Sequence, residues 1–161
     1  MDEPTLAELL VEQAQDIAQA LSRLPLDERI ETLNRIRAEL HRGSPFQAEP
    51  VDLVQWVSSG RVYGNSYNPN TVAPEELELL RISIRDDGFT QPIVCHPDED
   101  DTFEVVDGYH RNLTGRKAPL SRRLHGYLPV TVTAGRTLAD RMASTVRHNR
   151  ARGKHRVQSM A

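Results

Sequence analysis

With a single cysteine, Cys95, in 161 residues, the chain has no pair from which to form an internal disulfide. That excludes a disulfide-stapled secreted scaffold and makes a reducing, cytoplasmic setting the natural reading. Aromatic residues make up only 5% of the chain, so the core is expected to come from Leu, Ile, Val and Ala. No apolar run approaches the length of a membrane span. The opening "MDEPTLAELL" is acidic and has no basic n-region of the kind an export signal needs. A soluble protein without membrane contact is therefore expected. The last scarcity is local: residues 1–110 hold 8 Lys/Arg against 22 Asp/Glu, and residues 111–161 hold 12 against a single acid. Such asymmetry suits either two mutually neutralising halves or a basic face for phosphate-rich ligands beside an acidic part that repels them or binds protein.

What is present reads as an α+β protein. Thr5 and Glu8 have capping-box spacing ahead of Leu6, Leu9, Leu10, Ala14, Ile17 and Leu21, which recur at helical spacing. Pro25 interrupts, Asp27 is a second candidate cap, and Ile30, Leu33, Ile36 and Leu40 continue to Gly43. Residues 1–43 are thus expected to form an acidic αα-hairpin, as a cover for the core or as a docking surface for a partner protein. Residues 44–161 would be the main domain, entered through the linker-like "RGSPFQAEP". Strands are expected at 51–57, 92–96, 103–107 and 126–135. A helix should run from Pro74 to a C-cap at Gly88, a short one should start near Tyr109, and a last one should bury Leu138, Met142 and Val146.

The most informative stretch is "VVDGYHRN", at a predicted junction of strand and helix. A helix start presents unpaired amides and the positive end of the helix dipole, which suit an anion. Gly108 would let the backbone approach that anion. Arg111 can fork onto two phosphate oxygens, His110 can donate or shuttle a proton, and Asp107 can orient the His or hold a divalent metal. The basic tail adds Arg141, Arg147, Arg150, Arg152, Lys154 and Arg156. "GRKAPLSRRLHG" adds Arg116, Lys117, Arg122 and Arg123. Together these are candidates for tracking a DNA backbone without reading its sequence.

In this order, "IRDDGFTQPIVCH", "VVDGYHRN" and "RHNRARGKH" resemble motifs of the ParB/sulfiredoxin superfamily, over about residues 51–155. The resemblance implies a small mixed sheet with packed helices. It makes Thr90, Gln91 and Pro92 the candidates to face a nucleoside. It assigns the phosphate grip to Gly108, Tyr109, His110 and Arg111, aided by Arg147, His148, Asn149 and Arg150. Asn149 matches a family position that helps to place metal and phosphates, and His148 stands where Glu is usual. Tyr109 occupies the place of the sulfiredoxin nucleophile and cannot form a sulfur–sulfur bond, which excludes sulfiredoxin chemistry.

Within the superfamily, D-G-[YF]-H-R and R-H-N-R-A-R-G-x-H resemble two kinds of protein. One is the immunoglobulin-binding-regulator type of ParB-like protein. The other is the SspB-like nicking component of DNA phosphorothioation systems, which is paired with a reductase of the phosphoadenosine-phosphosulfate (PAPS) type. The function implied is nicking of one DNA strand, with Asp107, His110, Arg111 and Asn149 as catalytic residues. A Mg²⁺ or Mn²⁺ ion would sit between Asp107 and Asn149, with Glu104 as a further carboxylate nearby. DNA, a PAPS-reductase-like protein, a cysteine desulfurase and a second copy of the chain are the partners implied. The alternative is a nucleotide-binding, DNA-binding regulator that cleaves nothing, and a free-amino-acid kinase is a third reading.

Overall fold

The computed structural model describes residues 3–66, 72–134 and 137–151. The chain divides into two compact units, Met1–Pro45 and Phe46–Ala161. In the first, helix α1 (Leu6–Leu21) opens on the expected capping box. The Thr5 hydroxyl accepts from the Glu8 amide at 3.2 Å, and Glu8 accepts from the Thr5 amide at 2.8 Å. Helix α2 (Leu26–Arg42) starts without the expected cap: Pro25 is its N-cap, and Asp27 and Glu28 lie in its first turn, where they complement the dipole. Arg29 closes the turn between the helices by donating to the carbonyls of Ser22 and Leu24 at 2.8 Å each. Neither helix contains a fully buried residue.

The second unit is built on a five-stranded mixed sheet in the order β1-β5-β3-β4-β2. Its strands are β1 (Gln55–Ser58), β2 (Val62–Tyr63), β3 (Ile93–Pro97), β4 (Phe103–Asp107) and β5 (Tyr127–Val132). Strand β3 is antiparallel to β4 and parallel to β5; β2 adds to β4 in parallel at one edge, and β1 to β5 antiparallel at the other. The core draws Val57, Val62, Ile93, Cys95, Val105, Leu128 and Val130 from every strand. These are aliphatic side chains and one cysteine, as the scarcity of aromatics requires. Burial in that core pushes the Cys95 thiol up to about 12, so it holds no thiolate at neutral pH.

Helix α3 (Pro74–Asp87) begins with Pro at its first position and ends where the Gly88 amide donates to Ile84 O at 3.0 Å. Helices α4 (Tyr109–Gly115) and α5 (Leu120–Arg123) lie between β4 and β5. A Cβ added to Gly115 would lie 2.5 Å from Leu128 Cδ2, so glycine there lets α4 approach β5. Helix α6 (Leu138–Ala151) packs against β4.

Three expectations need correction. The 51–57 strand starts later, at Gln55, because Pro50–Asp52 forms a 3₁₀ turn. Strand β2 and helix α5 have too few residues to show periodicity and were not foreseen. Helix α6 is turned the other way: Leu138, Met142 and Val146 are 54%, 42% and 42% exposed, while Thr145 is buried and Arg141 reaches β4. Polar partners on the strand override the apolar stripe there. No helix among the described residues is long and apolar enough to cross a membrane.

Candidate functional site

Strand β4 ends on a buried carboxylate, Asp107, and the next residue turns the chain. Gly108 has φ 92° and ψ 27°, in the left-handed region that glycine enters without steric cost. It is the N-cap of α4, and no side chain caps the helix start. The first-turn amides that a helix leaves without an intrahelical acceptor therefore gain none from a capping side chain. A side chain at position 108 would also collide with Arg111: an added Cβ would sit 2.9 Å from Arg111 Nη2.

The Arg111 guanidinium lies folded over that glycine and joins two distant segments. Its Nη1 donates to Gln91 Oε1 at 3.3 Å, and its Nη2 donates to Pro92 O at 3.2 Å and to Asp107 Oδ2 at 3.3 Å. Asp107 also stands 3.9 Å from His148 Nδ1 on α6. Gln91, Asp107, Arg111 and His148 thus come together from three segments of the sequence. The Asp107 and Arg111 side chains are only 6% and 11% exposed, whereas His148 is 40% exposed and marks the open side. Ordinary charge-assisted hydrogen bonds to guanidinium are about 2.7–2.9 Å long. These three contacts of Arg111 are longer.

Other candidates are placed differently. Thr90 is exposed beside Gln91. Tyr109 packs against the core with its ring on Gly64, so it faces inward. His110 stands edge-on to Tyr109 at 5.4 Å, and both of its ring nitrogens are enclosed without a hydrogen-bond partner, a poor placement for proton transfer. Asn149 is half-buried next to His148, while Arg147 and Arg150 point to solvent. For a divalent ion at Asp107 and Asn149 the fit is poor. The Asp107 carboxylate is engaged by Arg111, and no group of three or more His, Cys, Asp or Glu suited to a metal occurs among the described residues.

The cations expected on DNA fall into two sets. Arg116 donates to Asn112 Oδ1 at 2.8 Å and to the Val62 carbonyl. Arg123 caps the end of α3 through the carbonyls of Ile84 at 2.7 Å and Arg85 at 2.8 Å. Arg141 pairs with Glu104 at 2.8 Å, with both side chains largely buried. These three guanidiniums serve the fold. Lys117 and Arg122 are exposed, as are Arg147 and Arg150. Arg152, Lys154 and Arg156 lie outside the described residues.

The opposite face of α4 holds a recess of about 420 Å³ that the sequence reading missed. Tyr109, Asn112, Leu113 and Arg116 line it from the helix, at a spacing that puts them on one face. Asn65 closes it and is tied by its Nδ2 to Val105 O at 2.6 Å. The helical spacing was legible in the sequence. The long-range partner in the turn-rich "GNSYNPN" was not.

Comparison with known proteins places the fold. The family model of the ParB N-terminal domain matches residues 45–148. The uncharacterized protein YbdM of Escherichia coli (strain K12) is 50% identical over 148 residues, which are 91% of this chain and 70% of that protein. The C-terminally truncated chromosome-partitioning protein ParB from Caulobacter crescentus, complexed with CTP-gamma-S, is similar in fold. It superposes with a TM-score of 0.50 at 22% identity, over 61% of this chain and 53% of that one, so this chain spans about half of its length. Sulfiredoxin from Arabidopsis thaliana superposes with a TM-score of 0.40 at 18% identity, over 59% of this chain and 93% of that one.

Proposed function

The chain belongs to the ParB N-terminal domain family, and on that premise we propose that its 107–111 turn grips the phosphates of a nucleotide in a DNA-associated, nucleotide-responsive protein. One observation carries the reading: the Arg111 guanidinium is stretched over a left-handed glycine, beside an uncapped helix start, by contacts of 3.2–3.3 Å. An incoming phosphate offers that guanidinium shorter, charge-assisted hydrogen bonds, and offers the helix start an acceptor. Gln91 and Pro92, already in contact with Arg111, would then border the nucleoside. The ParB of Caulobacter crescentus, complexed with a cytidine triphosphate analogue, supports the choice of ligand class. The exposed Lys117, Arg122, Arg147 and Arg150 supply sequence-independent contacts to a DNA backbone. Calorimetric titration with CTP and ATP in the presence of Mg²⁺ tests the reading. Binding by the wild type and its loss in Arg111→Ala, with the circular dichroism unchanged, is the expected result. No binding of either nucleotide at millimolar concentration would overturn it.

A second reading is nicking of one DNA strand, within a phosphorothioation system that includes a PAPS-reductase-like protein and a cysteine desulfurase. The feature in its favour is the Asp107–His148 pair, a carboxylate 3.9 Å from a half-exposed imidazole, an arrangement of the kind general acid–base catalysis uses. Supercoiled plasmid incubated with the protein and Mg²⁺ or Mn²⁺ separates the two readings. Open circles lost in His148→Ala and Asp107→Asn would favour cleavage. Intact supercoils together with nucleotide binding favour the switch.

A further inference from the structure

We propose that the αα-hairpin of residues 6–42 is a homodimerisation element, which pairs with the hairpin of a second copy of this chain in an antiparallel four-helix bundle. Helices α1 and α2 have 16 and 17 residues, so each is about 25 Å long. A four-residue connection makes them antiparallel neighbours. Two such helices can bury one seam against each other but leave their flanks in water, and most of the stability of a helix in a protein comes from packing its apolar face. Neither contains a fully buried residue. Leu6, Leu9, Leu10, Val11 and Ile17 of α1 and Leu26 and Leu40 of α2 are between 40% and 73% exposed.

The occupant is argued from area, length and charge. Seven half-exposed aliphatic side chains present an apolar surface on the order of several hundred Å², comparable with the ~800 Å² that each partner buries in a standard interface. A groove of about 470 Å³, lined by Ile17, Thr32, Arg35, Ile36, Glu39 and Leu40, runs between the two helices. A helix of matched length from a second hairpin fills such a groove along its whole extent. Charge selects the pairing. Within α1 the charged residues are Glu8, Glu12 and Asp16, all acidic, whereas α2 is divided: its first half holds Asp27, Glu28 and Glu31 against Arg29, and its second half holds Arg35, Arg37 and Arg42 against Glu39. A two-fold axis that lays each α1 antiparallel beside the α2 of the other copy sets Glu8 and Glu12 against that arginine-rich second half twice, as an isologous interface requires.

Sedimentation equilibrium on the full chain tests this. The wild type should be a dimer at micromolar concentration. The double variant Leu10→Asp/Leu40→Asp should raise the dissociation constant about a hundredfold or more, since it buries carboxylates in the seam, with the thermal transition of the β-sheet unit unchanged. A charge exchange on exposed residues guards against misfolding. Glu12→Arg/Asp16→Arg and Arg35→Glu/Arg42→Glu should each weaken self-association, and mixing the two variants should restore it as a heterodimer. A wild type that stays monomeric across the range would overturn the proposal, because the apolar flank would then be covered by the chain itself or by a foreign protein. So would a dimer indifferent to all of these substitutions.

Discussion

Strand β4 buries two carboxylates three residues apart, and each meets an arginine, yet the two pairs differ. Glu104 holds Arg141 at 2.8 Å and ties α6 to the sheet. Asp107 holds Arg111 at 3.3 Å, shares it with Gln91 and Pro92, and has His148 at 3.9 Å. The first pair is short and joins two regular elements. The second is long, bends around a left-handed glycine, and abuts a helix start that no side chain caps. A close, enclosed ion pair has little to gain from a competing ion. A stretched one beside a helix start that no side chain caps is arranged to exchange a partner. Burial and charge alone do not separate a clamp from a site; contact length and the state of the neighbouring backbone do.

The largest effect should fall on the clamp. Arg141→Ala leaves Glu104 buried without its cation and should cost about 3–5 kcal/mol of stability, read as a lower urea midpoint at pH 7. Arg111→Ala should cost less, about 1–2 kcal/mol, because its contacts are long and one of its acceptors, Gln91, is exposed. Its main effect should be a loss of nucleotide affinity of about 30-fold or more. If the two variants are equally destabilised, the distinction between clamp and site fails. Arg111→Lys should rescue little of the affinity, because an ammonium cannot fork.

Much of this contrast could be read in the sequence, for definite reasons. The β4–Gly108–α4 junction was legible because a β-branched run, a glycine and a helix-spaced segment follow one another locally. Gln91 and Arg111 were brought together on the page only by the resemblance of their motifs, and they do lie within hydrogen-bonding distance. What could not be read was which arginines are spent on the fold. Arg116, Arg123 and Arg141 look like their neighbours Lys117, Arg122 and Arg147 in composition and local charge. Their partners, Val62 O, Ile84 O and Glu104, lie 54, 39 and 37 residues away. The orientation of α6 was misread for the same reason. Its apolar stripe was visible in the sequence, and the carboxylate that claims the opposite face was not.

Asp107→Asn sharpens the comparison from the side of the acid. On the proposed grip, Asp107 would compete with an incoming phosphate for the Arg111 guanidinium, and its charge would repel the ligand. Neutralising it should tighten nucleotide binding about 3- to 10-fold at low salt. Glu104→Gln should leave affinity unchanged and lower the thermal midpoint. The opposite pattern in a calorimetric titration would exchange the roles assigned to the two carboxylates. An affinity lost in Asp107→Asn would show that the carboxylate is itself part of the grip.

The smallest effects separate the two sets of cations. Lys117→Ala and Arg122→Ala should alter stability by less than about 0.5 kcal/mol. If these exposed side chains touch phosphates, each substitution should also reduce the slope of log affinity against log salt for double-stranded DNA by about 1. Arg123→Ala should do the reverse: the salt slope stays, and the melting temperature falls, because the carbonyls of Ile84 and Arg85 at the end of α3 lose their donor. Fluorescence anisotropy at several salt concentrations, with thermal melts of the same samples, reads both quantities. A salt slope that responds to Arg123 and ignores Lys117 and Arg122 would mean that DNA approaches by the α3 end of the molecule, where the guanidinium would have to leave its carbonyls to reach a phosphate.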